Sequence, residues 1–190
     1  MVGKPFHGEH NEVSHRRVSS GYFATLNARL LRGRYFAESD DASRPRVVII
    51  NQALAKQYFP GEDPVGAEII YNSDSPQPRM RIIGLVDDVK EGPLDVSARA
   101  AMYVPLNQQP ASLFSAVVRT SQAEESVLLT LTDVIHQLDP GLAISAGKTM
   151  LDRIHDSPAA YIRRSSAWLV GTFATVALVL AVVGLYGVIS

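Results

Sequence analysis

Apolar positions along this chain fall into three patterns, and each predicts a different kind of element. Val47-Val48-Ile49-Ile50 is an unbroken β-branched run, the pattern of a strand covered on both faces. Arg81 to Val86 reads as a second apolar strand, and Ala101 to Val104 and Ser115 to Arg119 supply two more, separated by a loop rich in Gln and Pro. Ser19 to Leu31 reads as a short helix running into an extended stretch, with Tyr22, Phe23, Leu26, Leu30 and Leu31 as its apolar positions. Asn51 is placed to cap a helix over Ala53 to Phe59, which Pro60-Gly61 ends.

The second pattern is helical. Val127, Leu131, Val134, Ile135 and Leu138 repeat at 3.6 residues and predict an amphipathic helix from about Ala123 to Leu138. Ser121 and Glu124 have the spacing of a capping box at its start, and Asp139-Pro140-Gly141 stops it. Leu142 to Ala146 then reads as a last strand, and Thr149 with Asp152 as another helix start leading past Pro158. Asn72 to Arg79, with two prolines and two serines, is expected to be a surface loop or a junction. Strands and helices interleaved in this way predict an α+β fold, a mixed α/β domain of one or two subdomains.

The third pattern is apolar without a break. Trp168 to Ile189 holds no charge, and 17 of its 22 side chains are apolar. As a helix it would extend roughly 33 Å, slightly more than the roughly 30 Å hydrocarbon core of a bilayer. A C-terminal transmembrane helix within residues 165–190 is therefore expected, after a polar N-terminal segment over 1–17 and a water-soluble core domain over 18–164. Ala174, Ala177, Ala181 and Gly184 fall within an arc of about 80° on that helix, and small residues on one face let a second membrane helix approach closely. The expected partners are thus the lipid bilayer and other membrane helices.

Charge and candidate chemistry change this picture little. Lys and Arg number 18 against 19 Asp and Glu, a net charge of −1 with no electrostatic footprint for nucleic acid. Cysteine is absent, which removes disulfides, thiolate nucleophiles and thiolate zinc sites. Gly141 to Thr149 ends in Gly-Lys-Thr, yet it places five residues between its glycines where a phosphate-binding loop needs four. His7, His10 and His15 with Glu9 and Glu12 match no helical zinc motif and read as a frayed polar terminus. Asp40-Asp41 reads as solvated turn chemistry, while Asp87-Asp88 closes an apolar strand without an identifiable partner. His136 and His155 lack any Ser-His-Asp arrangement. No catalytic, cofactor-binding or metal-binding residue is predicted.

The ordered series of motifs resembles a known family. Val18-Ser19-Ser20-Gly21-Tyr22-Phe23-Ala24-Thr25-Leu26 followed by Leu30-Leu31-Arg32-Gly33-Arg34-Tyr35-Phe36 is similar to a signature of MacB-like periplasmic core domains. These occur in permeases of the FtsX/MacB type of ABC transporter. The likeness continues through Val48-Ile49-Ile50-Asn51, Tyr58 to Gly66, Ile83 to Val89 and Tyr103-Val104-Pro105-Leu106. It runs on through Val118-Arg119-Thr120, Leu138-Asp139-Pro140 and Thr149-Met150 to the stretch Leu178 to Ser190, which resembles the start of a permease's second helix.

The resemblance implies a porter-like domain outside the inner membrane, carried by a permease subunit that works with a cytoplasmic ABC ATPase, separate or fused, usually as a dimer. Chemistry would then reside in the ATPase, and this chain would couple it to movement outside the membrane, for efflux or for lipoprotein or lipid handling. The first, third and fourth permease helices have no counterpart here, so the chain reads as an interior portion of such a subunit. Arg163 and Arg164 flank the apolar helix on the side that charge counting would place in the cytoplasm, whereas the resemblance places that side outside. Two other readings compete: a single-span anchored binding or adhesion module without an ATPase, and an anchored hydrolase centred on Asp87-Asp88.

Overall fold

The computed structural model describes residues 13–70, 79–90, 96–145, 147–156 and 168–181. Two compact units divide the chain, Met1–Arg119 and Thr120–Ser190.

In the first unit the strands are β1 (Ser14–Val18), β2 (Leu30–Gly33), β3 (Val47–Asn51), β4 (Glu68–Ile70), β5 (Arg79–Val86) and β6 (Ala101–Pro105). They form one sheet in the order β1-β6-β3-β5-β2, with β4 sharing the β5 edge. β1 runs parallel to β6 and β3 parallel to β5, while the β3–β6, β2–β5 and β4–β5 pairs are antiparallel. Every residue of β3 is buried, as its β-branched run predicts for a central strand covered on both faces.

Two helices of this unit serve opposite faces: α1 (Tyr22–Thr25) and α2 (Gln52–Tyr58). On the α2 face Val48, Ile50, Met80, Ile82, Leu85, Met102 and Val104 pack with Leu54, Ala55 and Phe59. On the α1 face Val47, Ile49, Val86, Ala101 and Tyr103 pack with Val18, Phe23 and Phe36. Phe23 is wholly buried among aromatic rings, edge-on to Tyr103 at 5.0 Å and stacked on Tyr35 at 5.7 Å.

β5 changes phase partway along. Val48 pairs with Ile82 but Ile49 pairs with Gly84, so Ile83 is an extra residue, a β-bulge. The bulge lets Leu85 face the same side as Met80 and Ile82, which strict alternation would forbid. It also brings β2 very close: a Cβ on Gly84 would lie 2.4 Å from the Arg34 carbonyl oxygen, and one on Gly33 (φ 77°) 2.1 Å from that of Ile83. Only glycines fit this crossing.

The second unit contains α3 (Glu124–Leu138) and α4 (Met150–His155), and residues 168–181 are also helical. Val127, Leu131 and Ile135 are half-buried on the predicted face of α3, whereas Val134 and Leu138 are exposed. Thr149 caps α4, accepting the Asp152 N–H at 3.1 Å and donating to its carboxylate at 2.9 Å.

Several expectations are corrected. Ser14–Arg17, assigned to the polar N-terminal segment, belongs to β1, where exposed Arg16 and Arg17 hid the strand from a hydrophobicity reading. β4 is too short, at three residues, to show a pattern of its own. Ser115 to Arg119 is irregular and exposed, without a ladder to pair with among the described residues, and residues 142–145 likewise form no strand. The capping box fails because Ala123, not Ser121, is the N-cap of α3 and offers no side-chain acceptor. Among the described residues no helix is long and apolar enough to cross a membrane. Residues 168–181 of the expected membrane span are helical, and its remaining residues, 165–167 and 182–190, lie outside the described residues. Residues 72–78 of the expected Asn72 to Arg79 loop also lie outside them, and Arg79 opens β5.

Candidate functional site

Polar side chains collect where strands end. β3 ends at Asn51, fully buried, whose amide works in two directions. Its Oδ1 accepts the Leu54 N–H at 3.0 Å, the expected cap of α2, and also the Ala101 N–H at 2.9 Å, while Nδ2 donates to the Arg99 carbonyl at 2.8 Å. The cap was readable in the sequence; the link to β6, across 50 residues of chain, was not.

Next to it, β5 runs out into Asp87-Asp88. Asp88 Oδ1 accepts the Ala53 N–H at 2.9 Å, one of the backbone donors that the first turn of α2 leaves without an intrahelical partner. Asp87 pairs with the Arg29 guanidinium at 3.3 Å and accepts the Asp88 N–H at 2.9 Å. With Asn27, held in the left-handed region at φ 54°, these residues border an open hollow of about 360 Å³. Both carboxylates are thus engaged in holding backbone and a surface arginine. Replacing Asp88 with alanine is expected to cost about 1 kcal/mol, the usual value of one helix-start acceptor, read as a lower urea midpoint.

Asp40-Asp41 splits into two roles. Asp41 makes the anticipated turn, its Oδ1 accepting the Ser43 N–H at 2.8 Å. Asp40 is instead buried, bridged bidentately by Arg34 at 2.7 and 2.8 Å and accepting the Ala37 N–H at 2.9 Å. The Arg34 hydrogen bonds, with help from the Ala37 N–H and against some burial, hold this carboxyl below its ordinary value of 3.8. A carboxyl depressed on folding contributes stability that is present above the unfolded-state value and lost as pH falls through the lower folded one. Acid titration of stability should therefore steepen below about pH 4, and Asp40→Asn should flatten that slope and cost about 1 kcal/mol near neutrality, since half-exposed Arg34 is screened by water.

The remaining candidates separate. Lys148 pairs with Asp156 at 2.6 Å and Thr149 caps α4, so Gly-Lys-Thr is committed to a helix start. A Cβ on Gly147 would meet Leu128 Cδ2 at 2.7 Å, which explains that glycine by packing against α3. His15 lies half-buried in β1, while His7, His10, Glu9 and Glu12 lie outside the described residues. His136 and His155 are exposed, on α3 and α4. Among the described residues no group of three or more His, Asp or Glu could hold a metal ion. Ala174, Ala177 and Ala181 are exposed on the helix 168–181; Gly184 lies outside the described residues.

A six-stranded mixed sheet packed on both faces, with polar groups tying its strand ends together, defines a domain of mixed α/β class. Comparison with known proteins makes this specific. Residues 3–149 match the MacB-like periplasmic core domain family, and the chain belongs to it. An uncharacterized ABC transporter permease of Bacillus subtilis, YknZ, is 30% identical over 107 residues, covering 56% of this chain and 25% of the relative. The chain thus spans about a quarter of that relative. Among solved structures, the periplasmic region of MacB from Actinobacillus actinomycetemcomitans is similar at 21% identity and TM-score 0.47, over 63% of this chain and 54% of the other. The extracellular domain of the noncanonic ABC-type transporter YknZ from Gram-positive bacteria gives 23% identity and TM-score 0.47, over 69% of each.

Proposed function

We propose that this chain is a non-catalytic part of an ABC transporter permease subunit, and that it couples a cytoplasmic ATPase to conformational change outside the membrane, for efflux or for lipoprotein or lipid handling. The observation that carries this reading is the family match across residues 3–149, joined by a relative that is itself an ABC transporter permease. In this reading residues 18–164 form the extracytoplasmic domain and residues 165–190 a membrane helix of the inner (cell) membrane. That helix packs through Ala174, Ala177, Ala181 and Gly184 against other permease helices or a second subunit. Small side chains on one stripe support such packing, because they permit close backbone approach where no hydrophobic force operates. The strand-end network suits a body that must move as one piece, since its loops are fastened to the sheet.

Protease accessibility tests the proposal. In membranes carrying the full-length permease and its ATPase, protease should reach the sheet domain only from the extracytoplasmic side. ATP with vanadate, which traps the ATPase, should change the cleavage pattern. Protection from outside, or a pattern indifferent to ATP, overturns it.

A further inference from the structure

Within the sheet, the first and last strands are neighbours and run parallel, paired from Ser14↔Ala101 to Val18↔Pro105. The chain enters this sheet at one end of the pair and leaves it at the other. A pull transmitted along the chain, from before Ser14 and from beyond Pro105, therefore acts on the two strands in opposite directions along their own axes. We infer that β1 and β6 form a mechanical clamp, in which tension on the chain loads the whole ladder in shear.

The ladder is closed at both ends. Ser14 N–H donates to the Ala100 carbonyl and Leu106 N–H to that of Val18, each at 2.9 Å. Parallel strands space their hydrogen bonds evenly, so shear loads these bonds together, whereas a pull applied at one end opens them in turn. Beyond β6 the exit is fastened again. Gln108 accepts the Val47 N–H at 3.0 Å and donates to the carbonyls of Asp41 and Pro45 at 3.1 and 3.0 Å. Load leaving β6 is thereby shared with β3, the buried centre of the sheet. Arg17 adds a bond from β1 to the Pro110 carbonyl at 3.2 Å. The clamp follows from strand direction and pairing, and stands whether or not an ATPase drives the molecule.

Single-molecule pulling on the full chain in detergent tests it, and the absence of native cysteine makes attachment unique. One handle is fixed to Met1. The other is attached through Ser112→Cys, beyond the exit of β6, or through Ser97→Cys, on the side where β6 begins; both serines are exposed. The first geometry shears the β1–β6 ladder and the second peels it from the Ser14–Ala101 end. Forced opening reads the barrier to unfolding, and the rupture force in shear should exceed that in peeling severalfold. Attachment at exposed Asn107→Cys, a second shear geometry, should reproduce the high force. Equal forces in the two geometries, or a lower force in shear, overturn the clamp.

Discussion

Asn51→Ala should cost about 2–4 kcal/mol, a large share of the roughly 5–15 kcal/mol that holds a typical domain together. The substitution removes a helix cap worth about 1 kcal/mol. It also strips the buried Ala101 N–H of its acceptor, beside a residue from which water is excluded. Each polar group left without a partner in such a place costs about 1–3 kcal/mol. Urea unfolding followed by circular dichroism should show a lower midpoint at unchanged slope, the sign of lost stability without a change in exposed surface. Asn107→Ala provides the contrast. Its amide bonds to Glu38 in the open, at 3.2 and 3.4 Å, and its loss should shift the midpoint little. Equal effects for the two asparagines would refute the bridging role of Asn51.

A comparable loss, about 3–5 kcal/mol, is expected for Phe23→Ala, because a buried aromatic leaves a cavity that its neighbours close only in part. Phe23 sits on a helix of four residues, too short to be stable by its own hydrogen bonds, so its ring is what fixes α1 to the sheet. The four rings around it, Tyr22, Tyr35, Phe36 and Tyr103, lie with centroids 5.0 to 6.2 Å away and would lose their common centre. Near-ultraviolet circular dichroism, which reports ordered aromatics, should weaken in parallel with the thermal midpoint. Phe23→Leu should cost clearly less, since it refills most of the volume and forfeits mainly the ring contacts. A near-native spectrum for Phe23→Ala would show that the cluster does not depend on it.

How far the sequence revealed this fold depended on whether a residue's partner lay nearby in the chain. β3, β5, β6, the cap at Asn51 and the start of α4 at Thr149 were all readable, because local spacing and burial on both faces leave their mark in consecutive residues. β1 was not, since its pairing with β6 is a long-range fact and its exposed arginines read as a polar tail. Asp40 looked like a loop carboxylate until Arg34 was seen folded back onto it. Ser115 to Arg119 errs the other way: its apolar residues satisfy a strand pattern, but a pattern cannot supply a neighbouring ladder. The Ile83 bulge explains a similar blind spot, as a continuous apolar run carries no phase from which a skipped residue could be noticed. The Asp87-Asp88 pair was rightly placed at a strand end, and its engagement with Ala53 and Arg29 became visible only in three dimensions.

The pairing of β1 with β6 has a further consequence during biosynthesis. Ser14 emerges from the ribosome well before its partner Ala101 does, the two being separated by roughly 85 residues of synthesis. At about 5–20 residues per second that delay is on the order of 4–17 seconds, long compared with the microseconds in which a local hairpin closes. Throughout that interval the nascent β1 presents an unpaired edge to every other chain nearby. Arg16 and Arg17, exposed in the finished sheet, place positive charge on the waiting segment and discourage premature pairing. The two residues that disguised this strand in the sequence thus also keep charge on the edge that β1 presents, both before β6 arrives and in the finished sheet.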